Sequence, residues 1–210
     1  MILEETKKEI CNIGKRMYEN GFVAANDGNI SVKINDRILI TPTGVSKGYM
    51  SPEMMILVDL DGKQLEGERR PSSEIKMHLQ VYKEDENVKS VVHAHPPFAT
   101  SYAVAGKELH KKIMPETIIS LGSVPLAKYG TPSTSEIPKS IKGLIKQNNA
   151  LLLENHGALT WGDSLKNAYF KMETLEFYAK ILTITENITG NQEISTNDIK
   201  KLIQTFNLKG

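Results

Sequence analysis

Apolar positions recur at helical spacing along residues 4–20, where Ile10, Ile13, Gly14 and Met17 share one face, Lys and Glu fill the other, and Asn20-Gly21 supplies a stop. This predicts an amphipathic helix. The period then shortens to two: Ile30, Val32 and Ile34 alternate with polar residues, Asn35-Asp36 turns the chain, and Arg37-Ile38-Leu39-Ile40 returns as the second arm of a hairpin. Thr41-Pro42-Thr43-Gly44 follows as a tight turn with exposed backbone N–H groups. Ser51-Pro52-Glu53 reads as a short helical turn, Ile56-Leu57-Val58 as a strand and Asp61-Gly62 as the turn that ends it.

Pro71-Ser72-Ser73-Glu74 opens a predicted helix that runs to about Tyr82, with serine in the capping position. A strand from Val88 to His95 comes next, then a helix from about Phe98 to Ala105, strands near Ile118-Ile119 and Pro125-Leu126-Ala127, and a helix from Ser135 to about Lys146. Ala150 to Glu154 and Ala158 to Trp161 read as a strand pair with His156 at the bend. Asp163-Ser164 caps a long helix to about Thr189, with Ala168, Met172, Leu175, Ala179 and Leu182 at helical spacing; Ser195 to Phe206 reads as a short amphipathic helix or a loosely attached tail. Hairpins alternating with helices predict an α/β fold: a single three-layer α/β/α domain with a largely antiparallel or mixed central sheet. The boundaries expected are a catalytic domain over residues 1–190 and a C-terminal helical tail over 191–210.

Composition narrows the partners. A chain of 210 residues can bury one sizeable core, and it carries no internal repeat. A formal net charge of +1 with both signs interspersed argues against a nucleic-acid or membrane surface, leaving small molecules or other copies of the chain. Cys11 is the one cysteine, so an intrachain disulfide is excluded; beside Ile10 and Ile13 it is expected as a buried thiol in a reducing compartment. The charged start of the chain does not fit a signal peptide and no apolar run reaches spanning length, so a cytoplasmic location is expected.

The chemistry concentrates at Ser90-Val-Val-His-Ala-His-Pro-Pro. Side chains alternate along a strand, so His93 and His95 point the same way and make half of a first-row metal site. His156, at the tip of another apolar strand, is the candidate third ligand; three histidines with a vacant position describe a catalytic zinc better than a structural one. Gly28-Asn29, Thr43-Gly44 and Ser72-Ser73 each offer N–H or hydroxyl donors at a turn or helix start, where an anion can be held. Glu74, just inside the predicted helix and next to that cradle, is the general acid/base candidate, and His78 one turn later is placed either to orient it or in the core. His110, among lysines, reads as a solvated surface residue.

Taken together, Asp27-Gly28-Asn29-Ile30-Ser31, Ile40-Thr41-Pro42-Thr43-Gly44, Glu66-Gly67 followed by Pro71-Ser72-Ser73-Glu74, Val91-Val92-His93-Ala94-His95 and Asn155-His156-Gly157-Ala158-Leu159 resemble the class II aldolase/adducin superfamily, and within it the L-fuculose-1-phosphate aldolases, over about residues 5–185. The resemblance implies Zn²⁺ on His93, His95 and His156, with Glu74 as fourth ligand at rest and as acid/base in turnover. It implies that Gly28, Asn29, Thr43, Gly44, Ser72 and Ser73 hold a substrate phosphate. The activity it implies is cleavage of a sugar phosphate to dihydroxyacetone phosphate and an aldehyde such as L-lactaldehyde through a metal-stabilised enediolate, in a homotetramer with sites at subunit interfaces.

The chain also departs from that pattern. Lys112-Ile113-Met114-Pro115 stand where the fuculose phosphate enzymes bring a tyrosine from the neighbouring subunit to protonate the aldehyde oxygen, and the family's aromatic near Gly130-Thr131-Pro132 is replaced. Asp27 stands where a small residue is usual before Gly28, and Tyr129 is a candidate for the aldehyde side. Two further activities of the superfamily stay open, L-ribulose-5-phosphate 4-epimerase-like and methylthioribulose-1-phosphate dehydratase-like, although the epimerases carry Asp where this chain has Glu74. An adducin-like interaction domain is the non-enzyme alternative; it lacks the histidines that this chain keeps.

Overall fold

A hairpin sets the polarity of the sheet. In the computed structural model, which describes residues 2–188 and 190–207, β1 (Asn29–Ile34) and β2 (Arg37–Ile40) pair antiparallel from Ser31 opposite Ile40 to Ile34 opposite Arg37. Asn35 turns the chain with φ of 53°, a left-handed conformation that asparagine tolerates. β3 (Ile56–Asp59) and a short exposed edge strand, β4 (Gln64–Glu66), extend the sheet on one side. On the other lie β5 (Ser90–Ala94), β8 (Gly157–Gly162), β7 (Ala150–Leu153) and β6 (Leu126–Ala127). The order is β4-β3-β2-β1-β5-β8-β7-β6, antiparallel throughout except for the parallel pair β6 and β7, so the sheet is mixed.

Alternation along these strands sends side chains to two separate cores. Ile30, Leu39, Val92, Ala94 and Ala158 meet Ile10 and Met17 of α1 (Ile2–Glu19), Ala99 of α3 (Pro97–Val104) and Ala168, Met172 and Leu175 of α6 (Leu165–Ile188). Ile38, Ile40, Val58, Val91, Leu151 and Leu159 meet Met77 and Val81 of α2 (Ile75–Glu84) and Ile137 and Ile141 of α5 (Glu136–Ile141). Helices therefore cover both faces, giving the expected three layers, and each fully buried Leu, Ile or Met side chain contributes about 1.5–3 kcal/mol. α4 (Pro115–Ser120) packs on α6, and α7 (Thr196–Phe206) on α4. Among the described residues no helix is long and apolar enough to cross a membrane.

Several elements differ from the sequence expectation. Ile118-Ile119, expected in a strand, lies in α4: Pro115 fits the first helical turn, and Thr117 and Ile118 are buried. Two adjacent β-branched residues are too few to display a period. α5 ends at Ile141 rather than near Lys146, because Gly143 takes φ of +84° and its N–H, with that of Ile145, donates to Glu84 Oε1 at 2.8 and 3.2 Å. α2 starts at Ile75, so Ser72 is not its cap; Glu74 occupies that place, and Ser72 Oγ accepts from the Glu74 N–H at 3.3 Å in the turn before it. β5 ends at Ala94, and His95 lies just beyond it, its N–H donating to the Phe22 carbonyl at 2.9 Å. Cys11 is half-buried beside the α1 core, where burial raises its thiol to about 11. Thr189, the expected end of α6, lies outside the described residues, as do Met1 and residues 208–210 of the expected tail.

Candidate active site

The strand order brings three distant histidines to one point. β8 lies beside β5 with Ala158 opposite Ala94, so the β7–β8 turn that carries His156 hangs over the end of the strand that carries His93. The approach is close enough to require glycine at 157, since a Cβ there would stand 2.5 Å from His95 Cδ2 and 2.6 Å from the Ala94 carbonyl oxygen. The three ring centroids are 4.7–5.1 Å apart, and one ligand atom from each ring lies within 4.8 Å of the others. Glu74, at the start of α2, completes the group: its Oε2 is 3.3 Å from His93 Nε2 and its Oε1 3.4 Å from His156 Nε2.

These spacings fit a metal ion. Four donors held about 2.0–2.1 Å from one cation at tetrahedral angles lie roughly 3.3 Å from each other, and the observed contacts are 3.1 Å between His93 Nε2 and His95 Nε2, then 3.3 and 3.4 Å to Glu74. The tautomers agree. His93 Nδ1 lies 2.9 Å from the Ala158 carbonyl, which can only accept, so Nδ1 carries the proton and Nε2 offers its lone pair to the cluster. Burial and the neighbouring imidazoles hold His93 well below the usual histidine range, and burial lowers His156 as well, so both rings are neutral donors. Glu74 Oε1 is buried with no hydrogen-bond partner, as a group awaiting a ligand would be.

Asp27 finds an explanation here. Its Oδ2 lies 3.4 Å from His95 Nδ1, on the side of the ring away from the cluster, where a carboxylate favours the N–H at Nδ1 and leaves Nε2 free. Beneath the same loop Lys47 is buried, its Nζ donating to the Val45 carbonyl at 2.6 Å and the Asn26 carbonyl at 3.1 Å; burial lowers it to about 8 against the pull of Asp27. Lys47 thus ties together the two loops that contain Gly28-Asn29 and Thr43-Gly44.

A cavity of about 220 Å³ opens beside the histidines, lined by Gly28, Asn29, Thr43, Gly44, Ser72, Ser73, Glu74, His95 and His156 together with Asn26, Asp27, Pro42, Pro132 and Ser133. Every residue assigned to the anion cradle from sequence lines it. Gly28 takes φ of +72°, and a Cβ there would meet the His93 carbonyl oxygen at 2.9 Å, so the loop lies directly on β5. Pro132 belongs to the Gly130-Thr131-Pro132 segment where the family has an aromatic, whereas the proximity of Ser133 carried no signal in the sequence. Tyr129 is exposed and does not line the cavity. His110 is exposed beside Glu108, as expected.

Residues 8–183 match the family described as Class II Aldolase and Adducin N-terminal domain. The chain belongs to that family. It is 32% identical over 210 residues to the 5-deoxy-D-ribulose 1-phosphate aldolase of Bacillus thuringiensis serovar kurstaki, covering 98% of this chain and 97% of that one. It is 31% identical over 180 residues to the L-fuculose phosphate aldolase of Methanococcus maripaludis (86% and 97% covered), and 33% identical over 186 residues to the 3-oxo-tetronate 4-phosphate decarboxylase of Escherichia coli K12 (86% and 87% covered). Among solved structures, YgbL of Escherichia coli superposes with a TM-score of 0.90 at 28% identity, covering 96% of this chain and 99% of that one. These relatives are lyases, and this class II aldolase family member, with its histidine cluster intact, is an enzyme of the same kind.

Two members of the polar group behind the site were outside the sequence reading. His78 does not touch Glu74. Its Nε2 is 2.5 Å from Asn29 Oδ1, while Asn29 Nδ2 donates to Glu74 Oε2 at 2.9 Å. On its other side His78 Nδ1 is 2.7 Å from Ser31 Oγ, itself 2.7 Å from the Tyr82 hydroxyl. The signal for Ser31 was its place two residues after Asn29 on one face of a strand; nothing in the sequence singled out Tyr82.

Proposed function

We propose that the chain is a zinc-dependent aldolase that cleaves a ketose 1-phosphate, of the L-fuculose 1-phosphate or 5-deoxyribulose 1-phosphate type, to dihydroxyacetone phosphate and a short aldehyde. The observation that carries this is the placement of Glu74: one carboxylate stands within 3.4 Å of two clustered histidines and lines the same cavity as the cradle of turns. His93, His95, His156 and, at rest, Glu74 would hold the cation. A divalent ion there supplies Lewis acidity, drawing charge from the substrate oxygens as an electron pair is left on carbon.

The protein's own groups do the rest. N–H and hydroxyl donors of Gly28, Asn29, Thr43, Gly44, Ser72 and Ser73 bind the phosphate and fix the distance from it to Glu74. In the synthetic direction Glu74 takes a proton from the hydroxymethyl carbon of dihydroxyacetone phosphate. The pair left behind forms the new bond to the aldehyde carbon, and the aldehyde oxygen takes its proton from solvent. Cleavage runs these steps in reverse, with Glu74 returning the proton to carbon. A cytoplasmic homotetramer with sites at subunit interfaces belongs to this reading; the phosphorylated substrate and the apolar side chains exposed along α6, Phe170, Phe177 and Ile184, support it.

A second reading, decarboxylation of a phosphorylated 3-oxo acid, is favoured by one observation: Lys112-Ile113-Met114-Pro115 stand where the fuculose phosphate enzymes carry their tyrosine, and loss of CO₂, the reaction in the name of the Escherichia coli relative, needs no acid for an aldehyde oxygen. It uses the same cradle and the same proton return by Glu74. The deciding experiment assays purified, metal-analysed protein on a panel of ketose 1- and 5-phosphates and 3-oxo-4-phospho acids for aldehyde release, CO₂ release, epimerisation and elimination. Aldehyde from a ketose 1-phosphate is expected. CO₂ alone would establish the second reading, and dihydroxyacetone serving as well as its phosphate would remove the cradle.

A further inference from the structure

A buried hydrogen-bond chain runs from Tyr82, in the C-terminal half of α2, to the carboxylate of Glu74, and its direction follows donor by donor. Ser31 and His78 are fully buried, Asn29 is 3% and Tyr82 5% exposed, so the chain is closed to water except where Asn29 meets the cavity. An ionised Glu74 only accepts, so the Asn29 group facing Oε2 must be the NH₂ and the group facing His78 must be the carbonyl. His78 therefore donates from Nε2. Burial keeps its ring neutral, lowering it to about 3, so Nδ1 accepts from the Ser31 hydroxyl, which in turn accepts from Tyr82. The opposite direction would set the Asn29 carbonyl against the carboxylate.

We infer that His78, braced by Ser31 and Tyr82, is a positioning residue that locks the Asn29 amide, so that one amide group joins the phosphate cradle to the base. The NH₂ carries two protons: one holds Glu74 Oε2, and the other is available to an anion in the cavity that Asn29 lines. Oε2 is thereby committed as an acceptor, while Oε1 has no hydrogen-bond partner and stands 3.4 Å from His156 Nε2. Phosphate binding and the aim of the base are thereby set by the same side chain. The inference rests on the aldolase reading for its kinetic consequence but not for the lock itself.

The test separates the two. In metal-free, full-length protein, ¹⁵N NMR of the imidazoles is expected to show His78 as the Nε2–H tautomer with Nδ1 as a hydrogen-bonded acceptor, and Ser31→Ala to move the Nδ1 resonance to that of an unbonded acceptor, while Ser31→Thr restores it. In the zinc-loaded enzyme Ser31→Ala is expected to lower kcat for proton exchange about fivefold, the effect of one lost hydrogen bond, with a smaller change in KM and rescue by Ser31→Thr. Tyr82→Phe, which removes only the terminal hydroxyl, should shift the Nδ1 resonance the same way to a lesser degree and guards against misfolding of the first variant. A wild-type Nδ1–H tautomer, or Ser31→Ala and Tyr82→Phe that leave the Nδ1 resonance and kcat unchanged, would overturn the lock. A wild-type enzyme that exchanges no proton but shows the expected Nδ1 shifts would overturn the aldolase reading and uphold the lock.

Discussion

The two faces of β1 and β5 differ in what they bury. Toward α1, α3 and α6 they present Ile30, Val32, Val92 and Ala94, and the polar groups on that side, Ser90 and the neighbouring Thr160 of β8, are spent on the backbone carbonyls of Ser31 and Ala168. Toward α2 the same strands present Asn29, Ser31 and His93, joined to His78, Tyr82 and Glu74 by side-chain bonds. The first face is packed by area, so side-chain shape decides what fits; the second adds to the apolar core around Val91, Met77 and Val81 a set of directed donors, where each group needs a specific neighbour. Apolar packing stabilises both faces, and the chemistry is confined to the second.

The largest test of this contrast is Glu74→Gln, expected to lower proton exchange from dihydroxyacetone phosphate by about 10²–10⁴-fold, the usual contribution of a general base, while zinc content by elemental analysis and the urea midpoint hold. Exchange at the wild-type rate would take Glu74 out of the acid/base role. On the apolar face, Leu152→Ala should cost about 2–5 kcal/mol of stability in urea unfolding and leave kcat of the folded enzyme unchanged; a selective loss of kcat would mean that the two faces are not separable in this way.

Acid should unfold the metal-free protein through the polar face. His78 is held down to about 3, and His93 and His156 are lowered, so between those values and the ordinary histidine pKa near 6.5 the unfolded chain binds more protons than the folded one. Stability from these groups is present above about pH 6.5 and is lost as pH falls, at about 1.4 kcal/mol per pH unit for each histidine. Thermal unfolding at pH 7, 6 and 5 reads this slope, and a flat profile would contradict it. The smallest effect is expected at the cradle: Ser73→Ala should raise KM for a phosphorylated ketose severalfold, from the loss of about 1 kcal/mol of hydrogen bonding, with kcat and zinc content little changed. An unaltered KM would remove Ser73 from phosphate binding.

Much of the site was legible because its parts are local. His93 and His95 share a face by strand alternation, Ser72-Ser73-Glu74 sit together where α2 begins, and Gly28-Asn29 and Thr43-Gly44 flank the first hairpin, so residue type and spacing were enough to nominate them. Asp27 looked anomalous in the sequence because its partner, His95, lies 68 positions away along the chain, and Lys47 looked like any surface lysine until the loops closed over it. The strand expected at Ile118-Ile119 failed for the opposite reason: two β-branched residues carry a local preference, and packing against α6 overrode it.

The sequence alone determined which residues alternate, which faces of the helices are apolar and which side chains could bind a metal or an anion, because these follow from the fixed periods of strand and helix. Only the tertiary structure decided that β8 lies against β5, that Asn29 stands opposite His93, and that a hydroxyl on α2 reaches a carboxylate through three intervening side chains. Those pairings depend on long-range contacts whose free energy is shared among many residues, so no single stretch of the chain encodes them.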